Sequence, residues 1–336
     1  MSLNRRIITK EPLLDNKGIL RRKGFATSFV FSYNREDIHA NPIRLKEWDF
    51  YQFISYPYCI QATIGHVSYI TSASLTLIDL RDGLHRGISS MKPGRAIKLD
   101  LDPEEPSEVI FCSSSCYMKF THSKNQRLIE GRGKTKDGKP FSCHIDFPSP
   151  TGNEKMVIAT PFTKPNEFYL NYKENYFLAK GDISIGETKY HFEKMNGLLD
   201  WGRGIWPYRH EWYLSSLSSY IEGKPFGLNL GWGFGNLANA TENMLFYNEQ
   251  AYKIDELLFE HDLDNPMSPW HLFDKEGIVN LSFTPFYDNY TQNKMLVVNT
   301  HCDQCFGYYE GTAIVGGKKL IIPKTVAFLE HAVNKW

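Results

Sequence analysis

Large apolar residues alternate with small or polar ones through most of this chain. Phe25, Phe29, Phe31 and Tyr33 share one parity, and Ala26, Ser28 and Ser32 take the other. A strand with one buried face produces that pattern. Similar short runs occur at 48–54, 60–69, 74–80, 116–122, 142–147, 168–172, 189–192, 278–285, 294–300, 305–315 and 318–323. Turn-forming residues separate them: Lys92-Pro93-Gly94, Lys136-Asp137-Gly138-Lys139, the stretch 148–152, and Val315-Gly316-Gly317-Lys318. Many short strands with regular turns predict a sandwich or barrel. Helical periodicity is scarce. Residues 325–336 read as a short helix or a last strand, and 12–20 are ambiguous.

Two stretches look like copies of one unit. Leu45-Lys46-Glu47-Trp48 precedes apolar runs at 62–69 and 75–80, and Arg209-His210-Glu211-Trp212 precedes runs at 226–234 and 244–247. The Glu-Trp pairs are 164 residues apart (211 − 47). That spacing predicts a duplicated β unit with its boundary near 173–180. The expected domains are therefore 1–175 and 176–336, the second carrying the chain's most unusual segment.

That segment, 197–247, holds four of the seven tryptophans, Trp201, Trp206, Trp212 and Trp232, together with Asp200, Arg203, Arg209, His210 and Glu211. In its glycine-rich strand, Leu228, Leu230, Trp232 and Phe234 share one face. Gly227, Gly231, Gly233 and Gly235 share the other, broken by Asn229. Glycine weakens a strand interior, so four on one face need a reason. Either a neighbour packs closely over them, or they clear a cavity wall with Asn229 as its polar group. On 209–213, His210 and Trp212 fall on one side and Arg209, Glu211 and Tyr213 on the other. Arg209 with Glu211 reads as a solvated or interface pair. His210, oriented by an acid such as Asp200, would be a competent proton donor.

Bulk properties narrow the function classes. With 336 residues and 42% hydrophobic content, two cores are affordable. Lys+Arg and Asp+Glu number 38 each, so no net field draws the chain to nucleic acid or an anionic membrane. The N-terminus has no signal-like apolar core, and no stretch suits an integral membrane segment, so a cytoplasmic protein is expected. Six cysteines are too few and too scattered for a disulfide framework. Cys302 and Cys305 form a CxxC pair followed by a strand-like run rather than a helix, so no metal site and no cofactor are expected.

The runs DWGRGIWPYRHEWY, GLNLGWGFG and TENMLFYN, with the earlier LKEWDFYQF, resemble a bacterial family catalogued as domain of unknown function 2804. That family is distantly similar to the carotenoid hydratase (hydroxyneurosporene synthase) and tocopherol cyclase group. The resemblance implies an all-β chain built as a tandem pair of lipocalin-like antiparallel barrels. It transfers no catalytic residue, because the tryptophan motif here differs from that of the distant relatives.

Three functions are open at this point. One is binding of a lipophilic small molecule of lipid, polyene or isoprenoid class in an aromatic-lined barrel cavity. Another is an enzyme that protonates, hydrates, isomerises or cyclises such a molecule, its cation stabilised by aromatic faces. The last is an interaction scaffold whose aromatic cluster is a packed seam. The candidate catalytic residues are Asp200, His210 and Glu211. The candidate ligand-binding residues are Arg203, Trp206, Arg209, Trp212, Asn229, Gly231, Trp232 and Gly233.

Overall fold

The structure is a computed structural model that describes residues 5–99, 101–149, 152–295 and 298–336. The expected strand at 294–300 and the turn at 148–152 each include residues outside that set. Strand makes up 65% of the chain and helix 2%, so the all-β reading holds. Two curled antiparallel sheets form the tandem lipocalin-like pair.

In the first sheet the strand Leu45–Ser55 starts a meander through Tyr58–His66, Ile70–Asp79 and Leu84–Pro93. Its other edge pairs with Thr188–Ile205, which leads through Phe168–Ile185, Pro140–Pro148, Gln126–Lys134 and Cys116–Ser123 to Ser107–Cys112. The second sheet repeats this plan. Arg209–Ile221 runs into Lys224–Trp232, Met244–Tyr247 and Gln250–Lys253. Its other edge pairs with Lys318–Lys335, followed by Val298–Val315, Val279–Asp288, Trp270–Phe273 and Leu258–Glu260. Residues 325–336 therefore belong to a last strand, not a helix.

The repeat is exact in register where the first strand meets the last. Trp48 lies opposite Gly202, and Trp212 lies opposite Ala332. The closing hairpins have strands of 18 residues each and stand 130 residues apart (298 − 168 and 318 − 188). The boundary expected at 175/176 falls inside Phe168–Ile185, and the sheets change over at 206–208. The reason is physical. Phe168–Phe177 and 197–206 are buried on both faces, so the alternation that marks strands elsewhere lapses there.

Each barrel interior is filled by side chains. Phe53, Phe111, Phe147, Phe168 and Trp201 belong to the first core, and Leu228, Trp270, Phe283 and Tyr309 to the second. The first interior also buries a charged network. Arg203 is fully buried, pairs with Asp49 at 2.7 Å, and donates to the carbonyls of Leu99, Trp48 and Gly202. Its guanidinium lies 3.9 Å from the centre of the Trp201 ring. Glu47 accepts hydrogen bonds from Tyr33, Arg35 and His66. Burial pushes its pKa up, but the His66 and Arg35 hydrogen bonds and the nearby guanidinium groups outweigh it and hold the carboxyl at about 2.

Removing Arg203 leaves Asp49 buried without its partner and orphans three carbonyls. Arg203→Met should cost about 3–5 kcal/mol in urea denaturation, as for other broken buried pairs. A loss below about 1 kcal/mol, the range of exposed pairs, would contradict the structural role given to this guanidinium.

Candidate active site

The outward faces of the two halves meet, and a cavity of about 390 Å³ lies between them. Its walls come in matched pairs. From Leu45–Ser55 and Arg209–Ile221 come Trp48 with Trp212 and Phe50 with Leu214. From the closing hairpins and the residues after them come Leu198 with Phe328, Asp200 with Glu330, and Trp206 with Trp336. Phe234 completes an aromatic cluster, 4.6 Å from Trp206 and 5.3 Å from Trp212 between ring centres. Trp48 fits only because residue 202 is glycine: a Cβ there would lie 1.9 Å from its ring.

Four carboxyl groups line this largely apolar space: Asp200, Glu242, Glu330 and Glu47, the last already held by Arg35 and His66. Lys173 Nζ lies 3.1 Å from Asp200 and 3.5 Å from Glu242. Burial works against the ammonium, but the two carboxylates outweigh it and hold its pKa above the usual lysine value. Asp200 also accepts from Asn171 at 2.7 Å, and Glu242 from Tyr169 at 3.2 Å. Burial raises the pKa of Glu242 even so, although Lys173 opposes the shift.

Glu330 stands apart. Its two oxygens accept from Trp212 Nε1 at 2.9 Å and Gln304 Nε2 at 3.1 Å, both neutral donors. No cation lies within 4 Å of it among the described residues. Burial raises its pKa, against the pull of those two hydrogen bonds and of Lys173. An amide chain holds Gln304 in turn, because its carbonyl oxygen accepts from Gln61 at 2.8 Å and Asn289 at 3.1 Å. Burial thus outweighs both hydrogen bonds, and this carboxyl holds a proton more tightly than an ordinary one.

This cavity draws its second wall from the run Asp200–Tyr213 and from the segments around Asn229 and Glu242. One family's sequence pattern passes through all of them and matches residues 4–336. The chain belongs to the family of domain of unknown function 2804. No curated protein sequence matches it. Among solved structures it is similar to kievitone hydratase from Nectria haematococca. Identity is 10%, the TM-score is 0.52, and 97% of this chain and 98% of that one are covered. It is also similar to CghA solved with Sch210972, with 8% identity, a TM-score of 0.51, and coverage of 96% and 97%. Likeness at such identities establishes the shared fold of this family member and nothing further.

Four of the residues expected at the site, Asp200, Trp206, Trp212 and Asn229, line the cavity. Gly231 backs it: a Cβ there would come within 3.2 Å of Glu242 Cβ, so this glycine serves close packing. The others lie elsewhere. Arg203 points into the first barrel. Arg209 and Glu211 are exposed, and Glu211 meets His331 at 2.7 Å. Trp232 is 39% exposed and packs on Tyr213, on the face opposite His210, so it is not part of the wall. Gly233, at φ +89°, turns against the Glu211 carbonyl. His210 sits behind the wall. Its Nδ1 lies 3.2 Å from the Pro207 carbonyl, and its Nε2 accepts from Trp336 Nε1 at 3.0 Å. Burial lowers its pKa to about 4, so it is a neutral acceptor at ordinary pH rather than the proton donor expected.

Cys302 and Cys305 lie on one extended strand at odd spacing, so their side chains leave opposite faces, and Cys305 is in the second core. No described helix is long and apolar enough to cross a membrane. Glu242, Glu330, Lys173 and Trp336 escaped sequence reasoning. The signal that finds Glu330 and Trp336 is the 130-residue spacing of the closing hairpins, which maps Asp200 and Trp206 onto them.

Two titrations follow. His210 binds fewer protons folded than unfolded, so its contribution to stability is full above about pH 6.5 and is lost as pH falls toward about 4. His210→Gln should therefore reduce the fall in melting temperature across that interval; an unchanged profile would place the imidazole in water. Glu330 has the opposite sign. Its raised pKa favours the folded state at low pH and penalises it as pH rises above the ordinary carboxylate range. Glu330→Gln should flatten the stability loss as pH rises above the ordinary carboxylate range, and a steeper loss would contradict a raised Glu330 pKa.

Proposed function

We propose that the cavity between the halves binds a lipophilic small molecule of lipid, polyene or isoprenoid class. The observation that carries this reading is an aromatic-walled space of about 390 Å³ at a seam where each barrel is otherwise packed. Its size falls in the range of natural ligand pockets, roughly 300–1,000 Å³. Four tryptophans supply flat apolar contact, and few polar groups remain to fix orientation. Trp206 Nε1, Asn175 Oδ1 and Asn229 Oδ1 belong to cavity-lining residues and have no hydrogen-bond partner. Each asparagine nitrogen is held by a backbone carbonyl, so the oxygens are the atoms left for a ligand or water.

A second reading rests on Glu330. A carboxylic acid without a cationic partner, facing four indoles, can deliver a proton to an alkene or carbonyl while ring faces stabilise the resulting positive charge. Asp200 and Glu242 beside Lys173 would then receive a proton or orient water. That chemistry suits hydration, isomerisation or cyclisation of the bound molecule. Kievitone hydratase and CghA solved with Sch210972 share the fold, which makes a small organic ligand a natural occupant.

Native mass spectrometry of the purified protein, followed by organic extraction, should show a retained lipophile. Leu214→Trp fills the cavity from one wall and should abolish retention with little change in melting temperature. Equal retention by the filled variant would remove the cavity from consideration. If the ligand is turned over, Glu330→Gln should keep binding and lower the rate by about 10²–10⁴-fold.

A further inference from the structure

We propose that Lys46 anchors an acidic head group, so that the cavity's ligand is a lipophilic acid; this rests on the cavity being the ligand site. Lys46 follows the alternation of Leu45–Ser55, which puts it on the same face as Trp48 and Phe50, and all three line the cavity. It is 1% exposed. Burying an ammonium normally demands a carboxylate. None lies within 4 Å of Lys46 Nζ among the described residues. Its hydrogen bonds go to two neutral carbonyls, those of Ile43 at 3.3 Å and Val67 at 3.2 Å. Charge-assisted bonds usually measure about 2.7–2.9 Å, so these are slack. The other contacts are ring faces: Tyr69 at 5.3 Å and Trp336 at 5.1 Å from the nitrogen.

The neighbouring carboxylate on the wall, Glu47, is committed to Arg35 and His66, and no ion pair joins it to Lys46 among the described residues. The charged group that acts on Lys46 is Arg44, of the same sign, and burial with Arg44 lowers the Lys46 pKa to about 8. Most of the group is still protonated at neutral pH. Lys173, the other lysine on the wall, is committed to Asp200 and Glu242. The cavity is therefore polarised, with an unmatched cation beside Trp336 and carboxyls elsewhere on the wall. A carboxylate or phenolate on an apolar body meets both demands, its acid at Lys46 and its body along Trp48, Trp206 and Trp212. Trp336 is the hinge of this arrangement, since its face covers Lys46 while its N–H is held by His210.

The test compares retinoic acid with methyl retinoate, a polyene acid and its neutral ester, read by quenching of tryptophan fluorescence at neutral pH. Wild-type protein should bind the acid about ten-fold more tightly than the ester. Lys46→Met should cut acid affinity about ten-fold and leave ester affinity unchanged, and Lys46→Arg should keep the preference for acid. Equal affinities for acid and ester in wild-type protein overturn the anchor, whatever the variants do, and leave the cavity reading standing. A preference for acid that survives in a folded Lys46→Met protein also overturns it. Quenching by neither compound removes the cavity reading and the anchor with it.

Discussion

The closing hairpin of the first half must hide both of its faces from water where it meets the second half, and the rest of the molecule is arranged around that requirement. In a single barrel the outer face of a strand is polar. Here Phe168–Phe177 and 197–206 are buried on both sides. One side fills the first barrel and the other is covered by the second half. The seam is thus a third core, and its shape is set by which side chains the two halves can present without collision. Gly202 yields its space to Trp48, and Gly227 yields to Asn175 and Tyr176. Where bulky residues face each other from both sides instead, the seam does not close, and the cavity results.

Charge in such a seam obeys a strict rule: it must be matched locally or be given up. The first barrel follows it by pairing Arg203 with Asp49 and Glu47 with Arg35. The seam follows it incompletely. Lys173 matches two carboxylates, and Glu330 has neutral donors alone. Burial raises the pKa of Glu330 in consequence. Among the described residues Lys46 meets carbonyls and ring faces and no carboxylate within 4 Å. The two departures are opposite in sign and share one cavity, which distinguishes it from the larger cleft of about 660 Å³ around His85, Arg86 and Lys136. That cleft is more polar and is lined by solvated groups.

Alternation of apolar residues made the β class, most strand positions and the duplication legible. The Trp48 and Trp212 pair located the repeat because both stand in strands with one clear polarity change. The same signal misplaced the boundary between halves, since a doubly buried strand has no alternation to read. The density of tryptophans in 197–247 also drew Trp232 into the expected site. The strand ends at that residue, and the left-handed turn at Gly233 sends Phe234 to the wall in its place. Glu330 and Lys46 were invisible for another reason. Each is an ordinary charged residue in its own strand, and what makes it unusual is the partner it lacks, which no linear pattern records.

Trp48 and Trp212, Asp200 and Glu330, and Trp206 and Trp336 occupy equivalent places in the two halves and line one cavity. Two identical chains associating this way would be bound to place the same residue at both members of every pair. Any carboxyl at such a position would then have its own copy as counterpart, and the two would share one environment. Covalent fusion lifts that restriction. With the halves in one chain, Asp200 can sit beside Lys173 while its counterpart Glu330 sits beside Trp212 and Gln304. One cavity thereby holds two unlike carboxyl environments, one beside a cation and one beside neutral donors.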